Sequence, residues 1–200
     1  MVIGMAGRIC SGKNHVCAFF EKKGFKAIDL DIVAHDVLDL CRDDLVKAYG
    51  PSILKGSRID RPSLAREAFR DERSSRLLDS ITHPRILEAA KAVIASNPDK
   101  SIILNGALLH RCAMDRLCDY VVLVWAPYCV RLRRSKLRQG LSPSQFRLRN
   151  AQQRDVRRSA YRPWQATFVL YNCHGDKAIG WQVDRICARI TGDCERKGNV

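Results

Sequence analysis

Eight residues near the start of the chain, Gly7-Arg8-Ile9-Cys10-Ser11-Gly12-Lys13-Asn14, set two glycines five apart with a lysine directly after the second. These types suit the handling of phosphate. Glycines let a turn close until successive backbone N–H groups point inward, and the Lys13 ammonium adds a full positive charge at its rim. A helix opening at Lys13 would add the positive end of its dipole, completing a cradle for phosphate oxygens. On this reading Gly7, Cys10, Ser11, Gly12, Lys13, Asn14 and His15 form a nucleotide-phosphate site for ATP. Asn14 stands where the pattern G-x-x-x-x-G-K-[S/T] has a hydroxyl for Mg2+, so the metal position falls to an amide oxygen. A glycine turn that merely joins a strand to a helix is the plainer alternative. The apolar run Val2 to Ala6 before the loop and the amphipathic stretch after it favour phosphate binding. Cys10, at a helix N-terminus, is expected to have a lowered thiol pKa.

The elements that must hold this loop are legible on either side of it. Val16, Phe19 and Phe20 give a helix an apolar stripe, and Lys22-Lys23-Gly24 ends it. Phe25 to Leu30 reads as a second strand that carries Asp29 and Asp31 to its carboxyl end, where open α/β sheets bind ligands. Residues 32 to 49 follow helical spacing until Gly50-Pro51 stops them. Arg61 to Ser96 is helical by periodicity, with Thr82-His83-Pro84 predicted as a break between helices. No strand signal occurs between residues 32 and 100, which points to a helical insertion beside the sheet. Ser101 to Asn105, Tyr120 to Trp125 and Phe168 to Tyr171 are short apolar runs suited to strands buried on both faces. The expectation is an α/β fold in one domain over residues 1–200, with about five parallel strands and helices on both faces in three layers.

The chain has 200 residues, 46% of them hydrophobic and 28% charged, ordinary values for a globular protein. Its apolar runs are too short to span a bilayer, and no charged leader follows Met1, so the expected location is cytoplasmic and away from membranes. Nine scattered cysteines, odd in number and without a C-x-x-C pair, point to reduced thiols. The net charge of +14 is concentrated. Between Arg131 and Arg162, eleven basic residues against the single acid Asp155 leave +10, an anion-facing surface. Arg134 and Arg138, four apart, share a helix face and suit a lid over ATP within residues 131–160. A nucleic-acid backbone is an alternative ligand for this segment. It is disfavoured because only Phe146, Tyr161 and Trp164 offer aromatic faces for base stacking.

Several phrases together resemble one family of P-loop kinases, the dephospho-coenzyme A kinases. They are Gly4-Met5-Ala6-Gly7 running into Ser11-Gly12-Lys13, Asp29-Leu30-Asp31-Ile32-Val33-Ala34-His35, Ile59 to Leu64, Ile81-Thr82-His83-Pro84, Leu108-Leu109, the arginines leading to Gln152, and Val169 to Asn172. The resemblance covers about residues 2 to 185 and implies a P-loop NTPase-type sheet with the helical region 32–100 as its substrate-binding insertion. It also implies ATP and Mg2+ as cofactors and dephospho-CoA as the small-molecule substrate, whose ribose 3′-hydroxyl receives the γ-phosphoryl group. Lys13 and Asp31 are then catalytic, Asp31 accepting or orienting the hydroxyl proton; Asp29 supports it and His83 faces the acceptor. Arg61 either pairs with Asp60 or faces the CoA phosphates. A nucleoside or a sugar acid is the alternative acceptor, and the oligomeric state stays open. The chain departs from the family pattern at Cys10, at Asn14-His15 in place of Ser-Thr, and at Ala107 and Arg111, where the family has Pro and an acid.

Overall fold

A computed structural model describes residues 1–107, 109–111, 113–161 and 166–198. Leu108, Cys112, Arg162, Trp164 and the side chain of Cys194 lie outside the described residues. In chain order the elements are β1 (Val2–Ala6), α1 (Lys13–Glu21), β2 (Lys26–Asp29), α2 (Leu30–Leu40), α3 (Arg42–Tyr49), β3 (Leu54–Lys55), β4 (Arg58–Ile59), α4 (Arg61–Ala68) and α5 (Glu72–Ala95). There follow β5 (Ile102–Asn105), β6 (Tyr120–Trp125), α6 (Tyr128–Gln139), α7 (Pro143–Gln152), β7 (Ala166–Tyr171) and α8 (Asp176–Gly198). They form two compact units, residues 1–28, 99–111 and 115–200 in the first, and residues 29–98 and 112–114 in the second.

The first unit is built on a five-stranded sheet of order β2-β5-β1-β6-β7. Strand β1 is central: Ile3 pairs in parallel with Ile103 on one side and Tyr120 on the other. Such a strand has no solvent face, which is why β5 and β6 read as unbroken apolar runs. One face of the sheet packs Ile3, Met5, Val122 and Leu170 against Val16 and Phe20 of α1 and Ile179 and Val183 of α8, all at most 1% exposed. Each such side chain contributes roughly 1.5–3 kcal/mol by leaving water. This matches the expected parallel sheet, and β7 begins two residues earlier than its apolar run suggests.

In the second unit the expectation of helices holds, with two corrections. A small antiparallel hairpin, β3 with β4, interrupts them; its strands are two residues each, too short to show any periodicity. Helix α5 also runs unbroken through Pro84, where a break was expected. Proline removes the N–H that would serve the Ser80 carbonyl, but the neighbouring turn is reinforced by the Thr82 hydroxyl, which donates to Leu78 O at 2.9 Å. Thr82, Ile86 and Ala90 are buried, and that packing outweighs the proline penalty of about 3 kcal/mol. The second strand ends at Asp29, so Leu30 and Asp31 belong to helix α2 and not to the strand.

Candidate active site

In the first unit the loop between β1 and α1 has the shape its glycines and lysine suggest. Ser11 N donates to Arg8 O at 3.0 Å to close the turn, and the Lys13 ammonium reaches across to Gly7 O at 3.3 Å. Gly12, the N-cap of α1, has φ +90°, and a Cβ there would collide with the Asn172 side-chain amide. Cys10 adopts φ 57°, a left-handed conformation that a side chain disfavours. A glycine would sit there without strain. The expected lowering of the Cys10 pKa does not hold. Burial pushes the thiol up, and the nearby charges of Arg131, Arg138, Lys13 and Arg134 offset this only in part.

The back of the loop is braced by residues far away in sequence. Asn172, just past β7, donates its amide to Ser11 O at 2.8 Å, and Arg134 of α6 donates to Ser11 O at 3.2 Å and to Asn172 O at 3.0 Å. Arg131 is only 5% exposed; it donates to Ala126 O, to Ile9 O at 3.4 Å and to Asn150 Oδ1 at 2.8 Å, between the Tyr128 and Phe146 rings. It is therefore an internal strut and not part of the anion-facing surface that its sequence neighbours suggest. The front of the loop is held by Gln153, which accepts from Ile9 N at 2.6 Å, and by Arg8, which donates to Val156 O and Arg154 O. A pocket of about 270 Å3 opens beside the loop, with Arg8, Ser11, Trp125, Val156 and Arg157 in its wall. Arg138 is exposed on α6. His15 turns to Asp176, 2.8 Å from its carboxylate, and stands edge-on to Phe19.

Asn14 accepts, through its side-chain oxygen, a 2.9 Å hydrogen bond from the amide of Asn105, the last residue of β5. Sequence reading singled out Asn14 and missed Asn105, whose place beside the loop follows only from the register of β5 on β1. The loop after β5 is fixed by Asp155, which accepts from Arg111 Nε at 2.7 Å and Arg111 Nη2 at 2.8 Å, with His110 Nε2 2.8 Å away. Chiefly through the Arg111 hydrogen bonds, the Asp155 carboxyl is held well below the usual carboxylate range.

In the second unit the two acids of the Asp29-Leu30-Asp31 phrase divide their work. Asp29 is the N-cap of α2 and accepts from Asp31 N at 2.9 Å. Asp31, in the first turn of α2, lines a groove of about 380 Å3 together with His35, Arg61, Phe69 and His83. Asp60 accepts from Ser63 N at 3.0 Å as the N-cap of α4, and these Ser63 hydrogen bonds hold its pKa down. Arg61 thus lines the groove while Asp60 serves as a cap. His83 Nε2 lies 3.2 Å from Asp79 Oδ1. A carboxylate, a guanidinium and an imidazole around an apolar floor suit a polar, anionic acceptor with a hydroxyl to be deprotonated.

A family model described as dephospho-CoA kinase matches residues 1–176. The dephospho-CoA kinase of Corynebacterium efficiens is 34% identical over 199 residues, covering 94% of this chain and 96% of that protein. That of Borreliella burgdorferi is 36% identical over 128 residues, 63% of this chain, and the match spans only 62% of that relative's length. Among solved structures, TT1252 from Thermus thermophilus superposes with a TM-score of 0.79 at 26% identity, covering 94% of this chain and 96% of that one.

Proposed function

Since the chain belongs to the dephospho-CoA kinase family, we propose that it transfers the γ-phosphoryl group of ATP to the ribose 3′-hydroxyl of dephospho-CoA, giving coenzyme A and ADP. The observation that carries this reading is the convergence of Asp31, Arg61 and His83 on one groove of the second unit. The first unit supplies the donor site. Backbone N–H groups of the loop and the Lys13 ammonium take the phosphates, and Lys13 offsets the charge that spreads over the transferring group. The acceptor oxygen forms a bond to the γ-phosphorus as the bond from that phosphorus to the β–γ bridging oxygen breaks. Asp31 accepts the hydroxyl proton and later releases it to solvent. Arg61 and His83 hold the acceptor, Arg61 toward its phosphates. Arg134 keeps the loop carbonyl of Ser11 in place and presents its charge to the donor, with Arg138 exposed one turn further on.

To magnesium accompanying ATP, Asn14 would offer only an uncharged amide oxygen, and the ion would supply charge neutralisation at the phosphates. Among the described residues no helix is long and apolar enough to cross a membrane. The test is an acceptor panel: purified protein with ATP and, in turn, dephospho-CoA, a nucleoside and a sugar acid, following ADP. Release of ADP with dephospho-CoA alone is the expected result. Release with another acceptor and none with dephospho-CoA would reject the assignment.

A further inference from the structure

In P-loop enzymes the divalent cation is held on the protein side by a hydroxyl directly after the loop lysine and a carboxylate at the end of a neighbouring strand. Here those two places are taken by Asn14, directly after Lys13, and Asn105, which ends β5 beside β1. The two are bonded to each other, Asn105 Nδ2 to Asn14 Oδ1 at 2.9 Å, and Asn105 is 5% exposed. The Asn14 oxygen that would face a cation is thereby occupied by a donor, and the Asn105 oxygen is buried without a hydrogen-bond partner among the described atoms. The pair carries no charge. Magnesium favours one or two carboxylates in addition to phosphate oxygens, so this donor set does not fit a protein-held ion. Among the described residues no group of three or more His, Cys, Asp or Glu side chains stands in for it.

Cationic side chains brace the same loop. Lys13, Arg131 and Arg134 donate to three different loop carbonyls, those of Gly7, Ile9 and Ser11. Two of these charges, Lys13 and Arg134, are placed to offset phosphate charge that a metal ion ordinarily shares, while Arg131 is the buried strut behind the turn.

We infer that Asn14 and Asn105 form a neutral amide pair in the metal corner of the loop, so that nucleotide phosphates are held chiefly by the chain's own cations and a divalent ion adds little to nucleotide affinity. This rests on the reading of the loop as a nucleotide site, and it assigns Asn105 a part in setting the metal response. Asn105→Asp would restore a carboxylate, which repels metal-free phosphates and attracts the cation.

The experiment is calorimetric titration of ADP into the full chain, once with excess EDTA and once with saturating magnesium. For the wild type the two dissociation constants are expected to agree within about threefold, whereas in Asn105→Asp they separate by about tenfold or more, with EDTA the weaker. In parallel, Mn2+ followed by electron paramagnetic resonance should bind the wild-type protein with ADP no more tightly than it binds ADP alone. Asn14→Ser, which leaves the buried position intact, should raise Mn2+ affinity and serves if Asn105→Asp does not fold. Tenfold weaker ADP binding by the wild type in EDTA, or tight Mn2+ binding to its ADP complex, would overturn the inference while leaving the kinase reading intact. Absence of ADP binding under both conditions would overturn both.

Discussion

Asn172 and Ser11, 161 residues apart, are joined by a 2.8 Å hydrogen bond from the Asn172 side-chain amide to the Ser11 carbonyl. The bond is buried and shares its acceptor with Arg134, so the end of β7 sets the height of the phosphate loop. Asn172→Ala would leave Ser11 O with one donor and Arg134 with fewer acceptors. It should lower stability by about 1–3 kcal/mol, as expected when a buried polar group loses its partner. Urea unfolding checks the first effect, and nucleotide titration should show weaker ATP binding with unchanged affinity for the acceptor.

Cys10 provides a test of backbone strain. At φ 57° a glycine relieves the side-chain clash but gives the unfolded chain more freedom, so Cys10→Gly should fall between neutral and about 1 kcal/mol more stable. Cys10→Val, β-branched, should be about 1–3 kcal/mol less stable. Equal denaturation midpoints for the two variants would refute a left-handed Cys10.

Asp31→Asn should leave ATP affinity near the wild-type value and slow turnover by roughly 10²- to 10⁴-fold, the range for loss of a positioned base. Steady-state kinetics with dephospho-CoA distinguishes this from the corresponding change at Asp29. Because Asp29 caps α2, Asp29→Asn keeps an acceptor for Asp31 N and should cost less activity.

Asp155 ties pH to stability. Its folded pKa lies below the unfolded carboxylate value of about 3.9, so the stabilisation is complete above that pH and disappears as pH falls through the lower, folded value. Asp155→Asn should therefore be less stable than the wild type at neutral pH, by roughly 1 kcal/mol because solvent screens a carboxylate 40% exposed. The gap should persist down to about pH 4 and close below it. A gap that widens on acidification would count against the Arg111 pairing.

The cysteines should divide by burial. The Cys118 thiol is 8% exposed and pushed by burial up to about 12, whereas Cys129 is exposed on α6. With a maleimide at neutral pH, mass spectrometry should find Cys129 labelled first and Cys118 labelled only after denaturation.

Much of this was legible in the residues. Glycine, lysine and a preceding apolar run are local signals, and they located the loop and the central strands. The groove was partly legible, since Asp31, Arg61 and His83 lie in recognisable phrases, though which acid caps and which faces the groove depends on one residue of strand length. The unseen parts depend on long-range pairing. Asn105 looks like the end of a buried strand until β5 is set against β1. Arg131 reads as one more surface charge, and only the surrounding Tyr128, Phe146 and Asn150 show that it is internal. Proline in α5 misled for a related reason, because local propensity says nothing of the burial that overrides it.

The register of the central strand also orders events during synthesis. Ile3 finds its partners at Ile103 and Tyr120, so β1 leaves the ribosome about a hundred residues before either neighbour exists. All of α2 through α5 is made in that interval, and its contacts join residues closer in sequence than those of the sheet. The central strand of the sheet is thus translated well before the strands that flank it, and its apolar side chains stay uncovered throughout that interval.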